Sequence, residues 1–251
     1  MLKINSMEKD SVHEEVFHIS AHDTDMKNTC KLTNICNYIQ ETAIRHVQQY
    51  EMDPFEWMEK GLAWVLSRMK IEMYSYPEWQ ETVKIRTWSR GAKGLFVYRD
   101  YELIDGEDNI IGKATSAWLI IDLNKRRPLR PDPYIDESKY QYIKDRSTIC
   151  DDLRALPNEE DEELVFSIPV RYSDVDMNHH VNNVKYARWQ LDAIPTDRIS
   201  SELIKEFEIN FNHETVLGET VSMFCKQVDD CTFATSVTNG SRVNSRAIIK
   251  F

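Results

Sequence analysis

The hydrophobic pattern passes twice along the chain through the same order of elements, a helix followed by a series of strands. In the first pass, apolar positions at helical spacing in residues 35–50 (ICNYIQETAIRHVQQY) predict a long helix. A short strand-like segment, residues 15–20, precedes it. The segments after the helix are rich in β-branched and aromatic side chains and are separated by turn-forming residues, so each is predicted to be a strand. These segments are 63–76, 81–90, 94–104 and 110–123.

The second pass begins after residues 152–163 (DLRALPNEEDEE), whose acidic run and proline are typical of a solvated linker. Residues 164–170 have a strand pattern. Apolar side chains at helical spacing from Val184 to Ile194 then predict a helix, which Pro195 ends. Strand patterns return for the rest of the chain, at 205–212, 219–228, 231–238 and 243–251.

Short repeats within the sequence support a duplication. DTDM at residues 23–26 matches DVDM at 174–177, each just before a predicted helix, and ETV occurs at both 81–83 and 219–221. Each half has one long helix and enough strands to wrap it, which is how a curved antiparallel sheet buries a central helix. The predicted fold class is therefore α+β, a double hotdog of two tandem units.

The domain boundaries follow from the two passes. We expect an N-terminal hotdog in residues 1–135, a linker in residues 136–163 and a C-terminal hotdog in residues 164–251.

The composition indicates a folded protein with a formal net charge of −11. Nucleic acid and anionic membrane surfaces are poor partners for it, because phosphate recognition needs a surplus of basic side chains. No segment reaches the ~18 apolar residues of a membrane span, and the first residues match neither a signal nor a transit peptide. The five cysteines are odd in number and form no C-x-x-C motif, which favours reduced thiols. We expect a cytoplasmic protein.

Short polar side chains are unusually dense in residues 174–186 (DVDMNHHVNNVKY). If this segment is extended, Asp176, Asn178 and His180 point to the same side and can converge, since strand side chains alternate. Two other interpretations stay open. The asparagines are also good helix N-caps. A metal site is the less favoured one, because adjacent histidines such as His179 and His180 point to opposite faces of a strand.

Three stretches resemble the acyl-acyl carrier protein thioesterases. Residues 176–195 (DMNHHVNNVKYARWQLDAIP) are similar to that family's D-M-N-x-H-V-N-N-x-x-Y signature, and residues 61–88, with W-V-x-x-R-M, are similar to its first-half signature. Residues 124–131 (NKRRPLRP) add to the resemblance. It implies a double hotdog that hydrolyses the thioester between a fatty acyl chain and the phosphopantetheine arm of acyl carrier protein. It implies no metal or organic cofactor.

The resemblance also implies the site residues. Asp176, Asn178 and His180 fall on the family's catalytic positions, and Glu214 falls on its partner carboxylate. Thioester hydrolysis needs an activated nucleophile and donors for the oxyanion. We therefore expect Glu214 to act as general base on water, His180 and Asn178 to position water and thioester, and Asp176 to orient its neighbours. Backbone N–H groups of residues 181–183, where the helix begins, are the expected oxyanion donors.

The residue after Glu214 departs from the plant pattern. Plant relatives have a cysteine there, whereas this chain has Thr215, a poor nucleophile without an adjacent base. This difference favours direct attack by water over an acyl-enzyme.

The first half lacks the same chemistry. The first-half positions equivalent to Asn178, His180 and Glu214 are Lys27, Thr29 and Tyr76. This difference predicts one catalytic site per chain. We expect the first half to form the wall of the acyl pocket instead. The candidate wall residues are Trp64, Val65, Met69 and Met73.

A basic run after residue 123 is the candidate docking surface for the acidic carrier protein. It contains Lys125, Arg126, Arg127 and Arg130. Pro128 and Pro131 predict a rigid exposed loop, and the other interpretation is a solvated turn far from the site.

Two further functions stay open from the sequence, an acyl-CoA thioesterase and a hotdog protein that binds acyl groups without hydrolysing them. Chain length and branching of the acyl group have no signal in the sequence. The oligomeric state also stays open, either a monomer or a homodimer.

Overall fold

Eleven strands pair into one sheet in the computed structural model, which describes residues 11–50, 54–135, 149 and 152–251. The strands of the first half are β1 (Val12–His18), β2 (Leu62–Met73), β3 (Thr82–Lys93), β4 (Phe96–Ile104), β5 (Ile110–Asp122) and β6 (Arg127–Leu129). Those of the second half are β7 (Glu163–Pro169), β8 (Glu206–Phe211), β9 (Thr220–Gln227), β10 (Thr232–Asn239) and β11 (Arg242–Lys250). The helices are α1 (Leu32–Gln48), α2 (Pro54–Glu59), α3 (Asn183–Asp192) and α4 (Thr196–Ser201).

The sheet repeats the same strand order from its centre to each edge. The order is β1-β3-β4-β5-β2-β8-β11-β10-β9-β7, with β6 paired to β5 outside this path. The central pair β2 and β8 joins the halves in antiparallel register from Arg68 opposite Asn210 to Glu72 opposite Glu206. The duplication and the double hotdog predicted from the sequence are confirmed.

The main hydrophobic core contains residues of both halves. The α1 side chains Ile35 and Ile39 are buried in the same cluster as Ala187 of α3 and as Phe207 and Ile209 of β8. Fully burying a side chain of this size stabilises the fold by about 1.5–3 kcal/mol. The two helices are thereby fixed against one sheet and against each other.

The basic run forms a hairpin, not the predicted loop. The Asp122 carboxylate accepts the N–H groups of Asn124 and Lys125, at 3.0 and 2.9 Å, and so closes a tight turn. Arg126 then has a φ of 49°, and Arg127 pairs back onto Asp122 as the start of β6.

Part of the predicted linker, residues 136–148, 150 and 151, lies outside the described residues, as does Cys150. The proposed boundaries at residues 135 and 164 stay predictions. Among the helices of the described residues, none has the length and apolar character that crossing a membrane requires.

Candidate active site

The segment from Asp176 to His180 is a closed turn, so the predicted extended segment is wrong. Its ends meet because the Asp176 N–H donates to the His180 carbonyl at 2.9 Å, and the His179 N–H donates to the Asp176 carbonyl at 3.0 Å. The Asp176 Oδ1 also accepts the Asn178 N–H at 2.9 Å. Aspartate side chains commonly close turns in this way, and His179, with a φ of 63°, absorbs the reversal.

Asp176 also ties this turn to the start of α3. Its Oδ2 accepts from the Asn182 Nδ2 at 3.4 Å, while the Asn182 Oδ1 caps the helix by accepting the Val184 N–H at 2.9 Å. The capping interpretation of the asparagines is therefore correct for Asn182. Asn178 is different, because it is exposed at the outside of the turn.

His180 and Glu214 meet although 34 positions separate them in the chain. The His180 Nε2 lies 3.2 Å from the Glu214 Oε2, and both side chains are more than one-third exposed. The other oxygen, Oε1, is in an ion pair with the Arg126 Nη2. The carboxylate is thus held between a ring nitrogen and a guanidinium and remains open to solvent.

The segment that carries Glu214 is fixed by Asn244 of β11, which is fully buried. Its Nδ2 donates to the Glu214 carbonyl at 3.1 Å and to the Thr215 Oγ1 at 2.8 Å. The Thr215 carbonyl in turn accepts the Val181 N–H at 2.9 Å, which joins this segment to the residue after His180. No sequence signal indicates Asn244, because it is a single asparagine in an ordinary strand pattern.

The position of Thr215 suits a structural role and not that of a nucleophile. It is fully buried, and its hydroxyl also accepts a hydrogen bond of 2.7 Å from the Tyr186 hydroxyl. Two of the cysteines, Cys36 and the partly buried Cys225, are poor nucleophiles too. Burial raises the pKa of Cys225 to about 11 and that of Cys36 to about 12, so neither thiol ionises near neutral pH.

Two of the three expected oxyanion donors are already in use. The Val181 N–H donates to Thr215, and the Asn182 N–H donates to the Asp174 carbonyl at 2.9 Å. The expectation for residues 181–183 is therefore wrong for the first two, because the turn uses these groups to fasten itself to the neighbouring segments.

The surroundings of His180 favour the neutral form of its imidazole. Burial lowers its pKa below the ordinary value of 6.5; Asp176 opposes this change, and the positive charge of Arg126 adds to it. A neutral His180 can donate one ring N–H to the Glu214 carboxylate.

The four expected wall residues do not share one surface. Met69 and Met73 are buried in the main core, at 2% and 4% exposure, whereas Val65 is 40% exposed. Trp64 packs in a separate cluster that includes Trp57 of α2. Neighbouring residues on a strand point to opposite faces, which separates Val65 from Trp64.

The basic run has two kinds of members. Arg126 pairs with Glu214, and the Lys125 Nζ lies 3.6 Å from the Asp122 carboxylate. Arg127 and Arg130 are exposed. The interpretation of this run as a turn far from the site is wrong, because Arg126 reaches the carboxylate itself.

The equivalent place in the first half is built on the same backbone. The Cys30 N–H donates to the Pro77 carbonyl at 2.8 Å, as the Val181 N–H does to Thr215, so Tyr76 corresponds to Glu214. Here the Tyr76 hydroxyl donates to the Ile204 carbonyl at 2.8 Å. The first-half side chain therefore supports the segment after α4.

Lys27 supports α4 and the residue after it, because its Nζ donates to the Ile199 and Glu202 carbonyls at 2.7 and 2.8 Å. Thr29 stays within its own turn, with its Oγ1 donating to the Asp25 carboxylate at 3.2 Å. Across the described ranges, no three histidine, cysteine, aspartate or glutamate side chains are grouped as a metal site would require.

Comparison with known protein families matches both halves of the chain. Residues 10–137 match the acyl-ACP thioesterase N-terminal domain, and residues 157–251 match the acyl-ACP thioesterase C-terminal domain. The oleoyl-acyl carrier protein thioesterase 2 of Arabidopsis thaliana, a chloroplastic protein, is 30% identical over 260 residues, which cover 96% of this chain and 70% of the relative.

Solved structures show the same architecture. The crystal structure of an acyl-ACP thioesterase from Bacteroides thetaiotaomicron is similar with a TM-score of 0.86 and 27% identity, covering 98% of this chain and 99% of that one. The 12:0-ACP thioesterase of Umbellularia californica has a TM-score of 0.82 at 20% identity, covering 96% and 97% of the two chains, and at that identity it supports the fold alone.

Proposed function

The chain belongs to the acyl-ACP thioesterase family, and from this premise we propose that it releases fatty acid from acyl carrier protein by attack of a water molecule that Glu214 activates. The observation that carries the proposal is the contact of 3.2 Å between Glu214 and His180. It occurs in the half that keeps the aspartate, asparagine and histidine of the family signature. In the first half, the positions equivalent to His180 and Glu214 hold Thr29 and Tyr76, so the same pair cannot form there.

The reaction needs one base and one round of proton transfer. The Glu214 carboxylate takes a proton from water as the water oxygen bonds to the thioester carbon. The tetrahedral intermediate then breaks its carbon–sulfur bond, and the leaving sulfur receives a proton from the Glu214 carboxylic acid. The products are a fatty acid and the free thiol of the carrier's phosphopantetheine arm.

His180 and Asn178 position the reactants around this base. A neutral His180 donates its Nε2–H to Glu214 and so fixes the direction of the carboxylate. Asn178, exposed on the outside of the turn, presents an amide that can donate to the thioester carbonyl. This assignment replaces the backbone donors of Val181 and Asn182, which are already used.

Asp176 acts through its neighbours and does not touch the reacting atoms. Its two oxygens hold the Asn178 N–H and the Asn182 side chain, so it sets the shape of the turn that presents His180. We propose that it is a positioning residue.

For the acyl chain, we propose a wall that includes Met69 and Met73. Both are buried in the cluster that also contains Tyr186 and that packs against Phe211, close to the segment of Glu214. Methionine is flexible and polarisable, which suits contact with an alkyl chain. Val65 and Trp64 stay expectations from the sequence with less support, because they lie on other surfaces.

For the carrier protein, we propose a docking surface around Arg127 and Arg130, with Lys125 at its edge. Arg127 and Arg130 are exposed, and they lie in and just after the hairpin whose Arg126 touches Glu214. An acidic carrier bound there delivers its arm close to the base. Arg126 itself is better assigned to the site than to the docking surface.

Cytoplasmic localisation and a monomer or homodimer remain proposals. The cysteines Cys30, Cys36, Cys225 and Cys231 are free thiols, which is consistent with a reducing compartment.

One assay separates this function from the other two that the sequence left open. Purified protein is incubated with a panel of acyl-acyl carrier protein and acyl-CoA thioesters, and release of fatty acid and of free thiol is measured. We expect release, with kcat/KM higher for the carrier thioesters. Equal or higher kcat/KM for acyl-CoA would favour a CoA thioesterase, and binding without release would contradict the enzymatic proposal.

A further inference from the structure

A buried polar network lies beneath Glu214, at positions that are apolar in the first half. The correspondence comes from main-chain hydrogen bonds. The two residues before Tyr76 donate their N–H groups to the Ile111 carbonyl at 2.8 and 3.2 Å. The two residues before Glu214 donate theirs to the Asn244 carbonyl at 2.8 and 3.1 Å. Asn244 therefore corresponds to Ile111.

The helices correspond in the same way. Lys31, the residue before α1, donates its N–H to the Asp23 carbonyl at 2.9 Å. Asn182, the residue before α3, donates its N–H to the Asp174 carbonyl at the same distance. The two helices thus begin at equivalent positions, and Tyr186 of α3 corresponds to Ile35 of α1.

In the second half these positions form one connected network. The Tyr186 hydroxyl donates to the Thr215 Oγ1 at 2.7 Å, and the Asn244 Nδ2 donates to the same oxygen at 2.8 Å. The Asn244 Nδ2 reaches the Glu214 carbonyl as well, at 3.1 Å. All three network side chains are at most 3% exposed.

In the first half the equivalent positions hold Ile35, Pro77 and Ile111, whose side chains cannot form hydrogen bonds. The main-chain hydrogen bonds around them are nevertheless the same. The backbone of this fold therefore does not require polar side chains at these positions.

A second polar pair of the second half also corresponds to residues of the first half whose side chains cannot form hydrogen bonds. The Gln190 Nε2 donates to the Ser245 Oγ at 2.6 Å, where the first half has Ile39 and Gly112. Five apolar or glycine positions of the first half are thus polar in the second half, on the side that holds the candidate site.

The network has a cost in folding free energy. The Asn244 Oδ1 and the Gln190 Oε1 are fully buried and have no hydrogen-bond partner within the described part of the chain. A buried acceptor without a partner is destabilising, whereas an apolar side chain of similar size is not. Stability alone thus favours the first-half residues, and the polar set needs another reason.

We propose that Tyr186, Thr215 and Asn244 are positioning residues that hold the Glu214 carboxylate in register with His180. This inference rests on the proposed function of Glu214. Asn244 donates to the Glu214 carbonyl and to the Thr215 hydroxyl, and Tyr186 anchors the same hydroxyl to α3. The Thr215 carbonyl accepts the N–H of the residue after His180, so the network fixes both partners of the 3.2 Å contact at once.

The test removes one hydroxyl at a time and compares kcat with KM. Tyr186→Phe and Thr215→Val keep the size of the side chain and remove its hydrogen bonds. We expect each to lower kcat for an acyl-carrier thioester about tenfold, less than the 10²-fold that a 1 Å misplacement can cost. KM should stay within about twofold, because no network atom touches the carrier.

Two controls separate positioning from stability. Tyr101→Phe removes a buried tyrosine hydroxyl in the first half, where Tyr101 and the Ser116 Oγ lie 3.0 Å apart. It should lower the melting temperature about as much as Tyr186→Phe and leave kcat unchanged. Thr215→Ser keeps the hydroxyl and should retain most of the kcat that Thr215→Val loses.

Each outcome bears on one proposal. If Tyr186→Phe and Thr215→Val keep wild-type kcat while Glu214→Gln abolishes turnover, the network is not a positioning device and the proposed function stands. If Thr215→Ser loses as much kcat as Thr215→Val, the loss comes from packing and the inference is overturned. Near-normal turnover of Glu214→Gln would instead overturn the proposed function itself.

Discussion

Asp25 and Asp176 open the same turn in the two halves of the molecule. Each carboxylate accepts the N–H two residues further on, at 2.8 Å from Lys27 and 2.9 Å from Asn178. Each turn closes when the aspartate N–H donates to the carbonyl four residues on, at 2.9 Å in both halves. The backbone of the candidate site is thus present twice.

The two turns differ in what their side chains contact. In the first half, Lys27 and Tyr76 donate to main-chain carbonyls of α4 and of the residues that follow it. In the second half, His180 and Glu214 contact each other and stay partly exposed. A shared backbone therefore does not by itself make a site. The side chains decide whether the turn supports a neighbouring segment or stays open for a substrate.

The largest expected effect is at Glu214. Glu214→Gln removes the base and keeps the size and shape of the side chain. We therefore expect turnover of an acyl-carrier thioester to fall ~10²–10⁴-fold, while binding of that substrate persists. The matched change in the first half, Tyr76→Phe, removes one hydrogen bond and should cost about 1 kcal/mol of stability with kcat unchanged. Steady-state kinetics and urea unfolding measure both. Turnover near wild type in Glu214→Gln would refute the assignment.

The next effect is expected at the two turns. His180→Ala should lower kcat roughly 10²-fold and Asn178→Ala by a smaller factor, because both position reactants without supplying the base. Thr29→Ala should leave the chemical step intact. Lys27→Ala should lower the urea midpoint, since it breaks two hydrogen bonds from a charged donor, each worth about 1.5–3 kcal/mol. Comparable losses of kcat in both halves would end the single-site account.

A smaller effect is expected at Arg126, in the pH dependence of kcat/KM. The account needs a neutral His180, because an imidazolium beside Glu214 would make that carboxylate a weaker base. Activity should therefore fall as the pH drops through the pKa of His180, which lies below 6.5. The positive charge of Arg126 lowers this pKa, so Arg126→Gln should raise it and move the acid limb to higher pH. Arg127→Gln, one residue further on, is the control and should leave the limb in place.

The smallest effect is expected at the docking surface. Reversing the charge of Arg127 and Arg130 together should raise KM for an acyl-carrier thioester a few-fold at low salt, and less at high salt where charges are screened. Hydrolysis of a short pantetheine thioester should not change, since that substrate lacks the acidic protein. A change with both substrates, or with neither, would move the docking surface elsewhere.

Local patterns in the sequence predicted the fold well. The alternation of Phe207, Ile209 and Phe211 reports one buried face of β8, and the helical spacing from Val184 onward reports the buried face of α3. Hydrophobic periodicity depends only on neighbouring residues and matches the buried faces of the folded elements. The similar segments DTDM and DVDM indicated the duplication.

The site was harder to predict, because its geometry depends on contacts between distant segments. The Asp176 side chain closes a turn where alternation suggested an extended strand. Arg126 reaches Glu214 across 88 positions, and Asn244 reaches it across 30. No local pattern reports such contacts. The resemblance supplied Glu214 as a candidate but gave no reason to expect Arg126 or Asn244 beside it.

The most direct test of a single site per chain is to count bound substrate in a variant that does not turn it over. Glu214→Gln is titrated with an acyl-carrier thioester, and the number of acyl carriers bound per chain is measured by native mass spectrometry. The account predicts one acyl carrier per chain, bound a few-fold more weakly at low salt when the charges of Arg127 and Arg130 are also reversed. Two acyl carriers bound per chain with similar affinity would contradict it.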